Sequence, residues 1–299
     1  FLNSLGVKVK MSNKTNRGIV ERAIQLSYTD SCLPMKLLHG HAASIKDDVD
    51  YILFPSAIRM GEKDGDENQK YTCPLVQASP YIIRQVLDIG DRALVPTIDF
   101  SMGDKDVINN LTDIAKKLGF SKKDGKKAAL KGLKAHRKFQ ADQIEIGQNM
   151  LAQLRESGQL GVVVYARSYL SQDSGANLGI AEKLAQLGVM PIPLDFLPLD
   201  SIDVKQFSDR PYWHYESMHI AGAAITLKEP KLYGMMLSCF GCGPNSFVTN
   251  IVEDITDGKP LGHLELDEHA AEAGLVTRLE AFVDTISGYH RHHSGDEVP

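Results

Sequence analysis

The sequence predicts an α/β chain that has two Rossmann-like parallel-sheet domains with a helical linker between them. Short apolar segments alternate with amphipathic segments in both halves, and strands that alternate with helices form parallel sheets. Residues 161–165 read Gly-Val-Val-Val-Tyr, an unbroken apolar run that is typical of a strand buried on both faces. Residues 104–157 are rich in Ala, Lys, Leu and Gln with helical periodicity, which predicts two or three helices between the halves.

The first half shows the strand and helix alternation of a parallel sheet. Residues 6–11 alternate between apolar and polar side chains and predict a short strand, and residues 16–26 predict a helix. Residues 50–55 predict an apolar strand that ends at a proline. Residues 82–87 predict a helix, and residues 92–99 predict the strand that follows it.

The second half repeats the alternation with clearer boundaries. Gly188 closes one helix, because glycine is the residue most often found just past a helix end. The predicted strands are 161–165, 189–194, 231–238 and 262–266, and the predicted helices are 177–188, 215–226, 245–256 and 270–287.

These segments predict four parts of the chain. The parts are a first α/β domain at 1–105, a helical linker at 106–157, a second α/β domain at 158–288 and a disordered tail at 289–299. The tail is polar and rich in histidine, which favours disorder. Phe1 opens what looks like the end of a helix, so we expect a fragment whose upstream part has been removed.

Composition narrows the classes of partner. Apolar content of 43% and charged content of 24% are ordinary for a soluble globular protein. The net charge is -5 and the single basic run, within residues 122–134, reads as a solvated helix face, so nucleic acid is not a favoured partner. No apolar run approaches the roughly 20 residues of a membrane span. Four cysteines are too few for a disulfide scaffold, so we expect reduced thiols in a cytoplasmic protein.

The cysteines share one local pattern, a thiol just before a proline that can open a helix. The three sites are Cys32-Leu33-Pro34, Cys73-Pro74 and Cys239-Phe240-Gly241-Cys242-Gly243-Pro244. A thiol at a helix N-terminus faces unpaired N–H groups and the positive end of the helix dipole, which favours the thiolate. Ligands of parallel sheets bind beyond the carboxyl ends of the strands. We therefore expect these cysteines to converge on one cleft between the domains.

Three interpretations of the thiols stay open from the residues alone. The first is a metal or cluster site, since thiolates bind both zinc and iron–sulfur clusters. Only Cys239 and Cys242 form a close pair, and the spread of the others favours a cluster at a domain interface over a local zinc site. The second is a redox Cys-x-x-Cys pair, and the third is a set of inert buried thiols in a small-molecule-binding module.

Two histidine-containing stretches are weaker candidates. His39 and His41 could form a metal pair, or they could pack and cap a helix. Asp267 reads as a helix cap, while Glu268 and His269 are candidates for a catalytic role.

Five stretches in this order resemble one family across nearly the whole chain. They are CLPMKLLHGH at 32–41, YTCPLVQA at 71–78, CFGCGPN at 239–245, LDEH at 266–269 and TRLEAF at 277–282. The chain resembles the 2-hydroxyacyl-CoA dehydratase-like region of CoA-substrate-specific enzyme activases, of the 2-hydroxyglutaryl-CoA dehydratase activator type, which is related to double-cubane cluster proteins.

The resemblance implies a cofactor and its ligands. Dehydratase subunits of this kind hold a [4Fe–4S] cluster through three cysteines between Rossmann-like domains. On this chain the implied ligands are Cys32, Cys73 and Cys242, while Cys239 is either a fourth ligand or idle. A larger double-cubane cluster is the alternative, and either cluster is expected to be lost in air.

The resemblance also implies partners and a setting. Members act in the cytoplasm in anaerobic metabolism, and an ATP-hydrolysing activator injects a low-potential electron that forms a ketyl radical on the thioester. This chain has no Gly-x-x-x-x-Gly-Lys-Ser/Thr loop, so the activator must be another domain or protein. A homodimer or a related dehydratase subunit is the other expected partner; nucleic acid and membrane are not expected.

The function predicted from sequence is that of an iron–sulfur protein which passes electrons from the activator to a hard-to-reduce substrate. As an enzyme it would be a component of a dehydratase, which is a lyase, or of an ATP-dependent reductase system. The alternative is a non-catalytic binding or regulatory module of a larger activator, with structural or zinc-binding cysteines.

Overall fold

A computed structural model describes residues 1–27, 29–61, 70–209, 211–269 and 272–293. It confirms the predicted α/β class, since helices alternate with strands and every strand pair named in it is parallel. The strands form two two-stranded sheets and one four-stranded sheet. Within the described ranges, no helix is both long and apolar enough to cross a membrane.

The element bounds are as follows. The helices are α1 (Arg17–Leu26), α2 (Leu33–Ile45), α3 (Pro74–Val86), α4 (Asp104–Lys117), α5 (Lys122–Glu156), α6 (Ser168–Gln172), α7 (Ile180–Gln186), α8 (His214–Lys228), α9 (Gly243–Thr256) and α10 (Glu272–His293). The strands are β1 (Ile52–Leu53), β2 (Ser56–Arg59), β3 (Ala93–Leu94), β4 (Thr97–Asp99), β5 (Gly161–Tyr165), β6 (Met190–Pro193), β7 (Leu232–Cys239) and β8 (Leu261–Leu266).

The chain divides into two compact units, each described by itself. The first unit is Phe1–Ser31, Met35–Asp142 and Arg210–His214, and the second unit is Cys32–Pro34, Gln143–Asp209 and Tyr215–Pro299. The helical residues predicted as a linker are α4 and α5, and the division falls within α5. Cys32 therefore belongs by its contacts to the second unit, although the residues on either side of 32–34 belong to the first.

The first unit is built on two short strand pairs that two prolines separate. β1 pairs with β3, and β2 pairs with β4. Between the pairs, the N–H of Phe54 donates to Leu94 and that of Ser56 donates to Pro96, each at 2.9 Å. Pro55 and Pro96 have no N–H to donate, so the ladder is interrupted there.

Residues 6–11 show where the predicted alternation fails. These residues follow the short 3-10 helix Leu2–Leu5 and form no strand, so the prediction of a strand is wrong. Val9 is 44% exposed and Met11 is 82% exposed, so the apolar positions of the pattern do not face a core. A strand needs a partner for its backbone groups, and without a buried face this segment gains nothing from pairing.

The second unit contains the four-stranded sheet, in the order β6-β5-β7-β8. All five residues of β5 are buried, as its apolar run predicts. Tyr165 at its end is fully buried, and its hydroxyl donates to Thr226 of α8 at 2.5 Å. Gly222 and Gly234 leave room for this ring, because a Cβ on either would lie within 3.1 Å of a ring atom.

The terminal helix corrects one prediction about the tail. α10 runs to His293, so residues 289–293 are helical and not disordered, while residues 294–299 lie outside the described ranges. The last turns are held by rings: Tyr289 stacks on His293 at 3.9 Å, and the Tyr233 hydroxyl lies 3.3 Å from Nδ1 of His290. The stack within α10 and the contact of His290 with Tyr233 of β7 stabilise helix turns that the polar composition alone would not.

Candidate functional site

The cysteine turn joins β7 to α9 in the second unit. Cys239 is the last residue of β7, and Cys242 is the N-cap of α9, with Pro244 in the first helical turn. This is the strand, turn and helix that the sequence pattern predicts. Gly241 has φ of +77°, a left-handed conformation that suits glycine. A Cβ at Gly241 would lie 3.8 Å from the Cα of Cys32, so Cys32 lies against this turn.

Three thiols meet at the turn: those of Cys32, Cys239 and Cys242. None of the chain's cysteines forms a disulfide. Hydrogen bonds with the Cys242 and Cys32 thiols, together with burial, raise the pKa of Cys239. The hydrogen bond that Cys239 donates lowers the pKa of Cys242, against the effect of burial, and the positive charge of Arg167 lowers it further. The three thiols can therefore hold one thiolate, that of Cys242, which accepts a hydrogen bond from the protonated Cys239.

Cys73 occupies the corresponding place in the first unit. It is buried and is the N-cap of α3, directly before Pro74, as its sequence predicts. Its carbonyl accepts the N–H groups of Val76 and Gln77, which closes the first turn of the helix. Cys32, Cys239 and Cys242 all belong to the second unit, and a shared site between them and Cys73 stays a prediction.

Polar side chains surround the three thiols, and one of them, Tyr169, lies outside every stretch that the sequence patterns singled out. The Tyr169 hydroxyl lies 3.7 Å from the Cys239 sulfur, and burial raises the pKa of this tyrosine, so it stays neutral. Asn245, which is buried, donates from Nδ2 to the Ser238 hydroxyl at 3.0 Å. Tyr169 follows the end of β5, which is the one sequence feature that could have marked it.

A second group of polar residues follows β5 and β6 at the same carboxyl edge of the sheet. Arg167 is only 5% exposed, and its guanidinium carbon lies 5.5 Å from the centre of the Tyr215 ring. Ser168 is next in sequence, and its hydroxyl is 3.2 Å from that of Tyr215. Asp195 follows β6, and burial raises the pKa of its carboxyl. The sequence patterns identified none of Arg167, Ser168 and Asp195.

The weaker histidine candidates have structural contacts. His39 is buried, and its Nδ1 donates to the Met35 carbonyl at 2.6 Å. His41 lies between the hydroxyls of Ser12 and Thr15, at 2.9 Å from each. These contacts support the helix-packing interpretation of both histidines over a metal pair.

The acidic stretch after β8 is a turn. The Asp267 carboxylate accepts the N–H of His269 at 2.8 Å within this turn. Because α10 begins only at Glu272, this contact is not the helix cap that was predicted for Asp267. Nε2 of His269 lies 3.9 Å from the Glu268 carboxylate, and His269 is largely exposed, so a catalytic role for either gains no support.

The thiols suit a soft metal centre in their donor chemistry. Thiolate sulfur is the usual ligand of iron–sulfur clusters and of structural zinc. A metal binds to thiolates and displaces the thiol protons. The three hydrogen-bonded thiols lie close enough together to release protons to one metal centre. Across the described part of the chain, however, no three or more His, Cys, Asp or Glu side chains are already arranged as a metal site. The three thiols fit an iron–sulfur cluster or a zinc ion as donors, and the coordination geometry would have to form when the metal binds.

Comparison with known families gives one match. The family model described as CoA enzyme activase uncharacterised domain (DUF2229) matches residues 1–197, which is about two thirds of the chain. The matched part contains Cys32 and Cys73 and ends before Cys239 and Cys242. A comparison with curated proteins gives no match.

Proposed function

We propose that this chain, which belongs to the CoA enzyme activase uncharacterised-domain family, is an iron–sulfur protein of the 2-hydroxyacyl-CoA dehydratase type. In this role it receives low-potential electrons from an ATP-dependent activator and delivers them to a hard-to-reduce substrate. The activator is a separate domain or protein, because the chain has no phosphate-binding loop of the Gly-x-x-x-x-Gly-Lys-Ser/Thr type. We propose that this activity takes place in the cytoplasm and belongs to anaerobic metabolism.

The observation that carries the proposal is the meeting of three thiols at the end of β7. Cys32, Cys239 and Cys242 come from two distant parts of the sequence, and the 3.8 Å approach at Gly241 supports their grouping. These three would hold the cluster, and Cys73 from the predicted set would be the further ligand. Cys239 thus becomes a proposed ligand in its own right.

The surrounding residues have definite tasks in this proposal. When bound, a [4Fe–4S] or double-cubane cluster supplies one-electron chemistry at low potential. Tyr169 stays neutral and lies 3.7 Å from the Cys239 sulfur, close enough to donate a weak hydrogen bond to it. Such hydrogen bonds, and the positive charge of Arg167, favour the more negative state of a thiolate centre.

Metal analysis of the protein tests the proposal. The chain is purified without oxygen, reconstituted with iron and sulfide, and examined by visible and electron paramagnetic resonance spectroscopy together with iron, sulfide and zinc analysis. We expect a brown protein that contains iron and sulfide. Cys32→Ser, Cys239→Ser and Cys242→Ser should each lose most of the iron, because a cluster that loses one of its ligands is held weakly.

Two further variants sharpen this test. Phe240→Ala changes a 62% exposed side chain in the same turn without removing a sulfur, so its iron content should equal that of the parent protein. Cys73→Ser decides whether the first unit supplies a ligand. A folded, colourless and iron-free protein would refute the iron–sulfur assignment, and stoichiometric zinc would support the non-catalytic module instead. Analytical ultracentrifugation of the loaded protein tests for the proposed homodimer.

A further inference from the structure

We propose that the Cys239 and Cys242 thiols form a reversible disulfide in the metal-free protein, and that this disulfide prevents metal uptake at the cysteine turn. The formation of the disulfide does not depend on the iron–sulfur proposal, because it requires only the two thiols and an oxidant. The effect on metal uptake rests on the proposed function and adds a regulation by thiol oxidation to it. Both cysteines belong to the second unit, so the bridge lies within one compact part of the chain.

The backbone of the turn holds the two cysteines at a suitable separation. The N–H of Cys242 donates to the carbonyl of Cys239 at 3.1 Å, and Gly241, the third residue of this turn, has φ of +77°. These are the features of a type II turn, in which the first and last Cα atoms lie within about 7 Å of each other. Cysteines that form disulfides have Cα atoms roughly 4.4–6.8 Å apart, so the folded turn is compatible with a bridge.

The two side chains face each other in the folded turn. The Cys239 thiol is hydrogen-bonded to the Cys242 thiol, so the sulfurs are already neighbours. The Cys32 thiol also contacts Cys239, but it reaches the turn from a distant part of the sequence. Cys239 and Cys242 are instead held together by the backbone hydrogen bond of their own turn, and Pro244 fixes the start of the helix that follows. Proximity that the backbone maintains favours this pair over a bridge to Cys32.

Of the pair, Cys242 is the thiol that a small oxidant reaches first. Cys239 is 1% exposed and Cys242 is 8% exposed, but the turn itself lies at the surface. Phe240 is 62% exposed, and Gly241 and Gly243 are also exposed. Both neighbours of Cys242 lack side chains, so a small disulfide meets little steric hindrance there. Cys242 therefore reacts first, and the more deeply buried Cys239 completes the bridge.

The oxidant is a low-molecular-weight disulfide, and the exchange has two balanced steps. First, the Cys242 sulfur attacks one sulfur of the oxidant, which forms a mixed disulfide and releases one small thiol with the proton of Cys242. Second, the Cys239 sulfur attacks the Cys242 sulfur of the mixed disulfide, and the second small thiol leaves with the proton of Cys239. The two cysteines lose two electrons and two protons, which reduce the oxidant to two thiols. An excess of small thiol reverses both steps.

The bridge removes metal ligands from the turn. Thiolates, and not disulfide sulfurs, are the ligands of zinc and of iron–sulfur clusters. Of the three thiols that meet at the turn, only that of Cys32 remains in the oxidised protein. One thiolate does not replace the several ligands that such metal centres need, so the oxidised protein should take up little metal.

Mass spectrometry of the full chain tests the bridge. Metal-free protein is reduced, exposed to oxidised glutathione, and alkylated with N-ethylmaleimide in denaturant before digestion with trypsin. Cys239 and Cys242 lie together in the tryptic peptide 232–278, which contains no other cysteine. We expect this peptide to carry no alkyl group and to be lighter than its reduced form by the mass of two hydrogen atoms. Dithiothreitol should restore the alkylation of both cysteines.

Single variants identify the pair. Cys239→Ser should stop at a mixed disulfide between Cys242 and glutathione, because no second thiol in the turn displaces the glutathione. Cys32→Ser should form the same bridge as the parent protein, and so should Cys73→Ser, the matched control, whose thiol also lies at the N-cap of a helix. Circular dichroism checks that each variant is folded. Alkylation of both cysteines in the folded, oxidised parent protein would overturn the proposal, as would loss of the bridge in folded Cys32→Ser.

Metal uptake separates the regulation from the proposed function. Reduced and oxidised protein, freed of small thiols, are each incubated with zinc, which does not reduce a disulfide, and bound zinc is measured after gel filtration. The oxidised protein should bind about tenfold less zinc, because it lacks two thiolate ligands. Equal zinc in the two states would overturn the control of metal uptake. A bridge in a protein that takes up no iron and sulfide would refute the proposed function alone, while iron and sulfide uptake without a bridge would refute this inference alone.

Discussion

Replacing Gly234 by alanine should destabilise the second unit, because this glycine makes room for a buried tyrosine ring. A Cβ at Gly234 would lie 2.4 Å from Cε2 of Tyr165 and 2.7 Å from Cδ1 of Leu261. Gly222 lies close to the opposite edge of the ring, where a Cβ would be 3.1 Å from Cε1, so the ring has little space to move into. Its hydroxyl is also tied to Thr226 at 2.5 Å.

The expected cost is at the upper end of the range for overpacked cores, about 3 kcal/mol. For a unit of this size that corresponds to a fall in Tm of roughly 6–12 °C. Thermal unfolding followed by circular dichroism, and urea unfolding where heating is irreversible, measure the change. Because Cys239 ends the same strand, iron binding should weaken in parallel.

A glycine-to-alanine change on a helix provides the matched control. Gly288 lies within α10, and a Cβ there would meet nothing within 4 Å. Gly288→Ala should stabilise the protein by about 0.5–1 kcal/mol, because alanine loses less conformational freedom in a helix. If Gly234→Ala and Gly288→Ala proved equally harmless, the close packing around Tyr165 would be refuted.

Three other substitutions test contacts elsewhere in the chain. Burial opposes ionisation of Asp99, but hydrogen bonds from Arg59 and Ser101 and the Arg59 charge outweigh it and lower the pKa. Ionised Asp99 stabilises the fold above the unfolded pKa of about 3.9, and this stabilisation is lost as pH falls through the lower folded pKa. In Asp99→Asn, the free energy of unfolding should therefore fall less steeply when the pH is lowered. Asn16→Ala removes the cap of α1 and should lower the free energy of unfolding in urea by about 1 kcal/mol. An unchanged free energy of unfolding would contradict the cap. Tyr165→Phe should cost about 1 kcal/mol in the same assay, and an unchanged midpoint would contradict its buried hydrogen bond.

The parts of the fold that were predictable are those where local chemistry and burial agree. The run at 161–165 forms β5 because an unbroken apolar segment can be buried on both faces of a parallel sheet. Cys73-Pro74 begins α3 because proline suits a first helical turn. The predicted helix at 82–87 is the second half of α3. Its start was missed because helix ends depend on tertiary contacts, which a periodic sequence pattern does not show.

The candidate site was predictable in its residue types and only partly in its grouping. The Cys239-x-x-Cys242 turn was recognisable from sequence, because strand, glycine turn and proline-led helix are local features. The central place of Cys239 among the thiols was not, since it depends on hydrogen bonds to Cys242 and to the distant Cys32. Arg167 and Asp195 were not identified either, because only the pairing of β5 with β6 brings them to the same edge.

By itself, the sequence determined the α/β class, the helix starts at the cysteines and the buried central strand, because each depends on side chains within one turn or one strand. Tertiary structure alone decided that Cys32 joins the turn at Gly241, and that an arginine and a carboxyl group share one edge of the sheet. It also decided that 6–11 stays outside any sheet. The physical reason is that pairing, register and burial join residues far apart in sequence, and no local pattern carries that information.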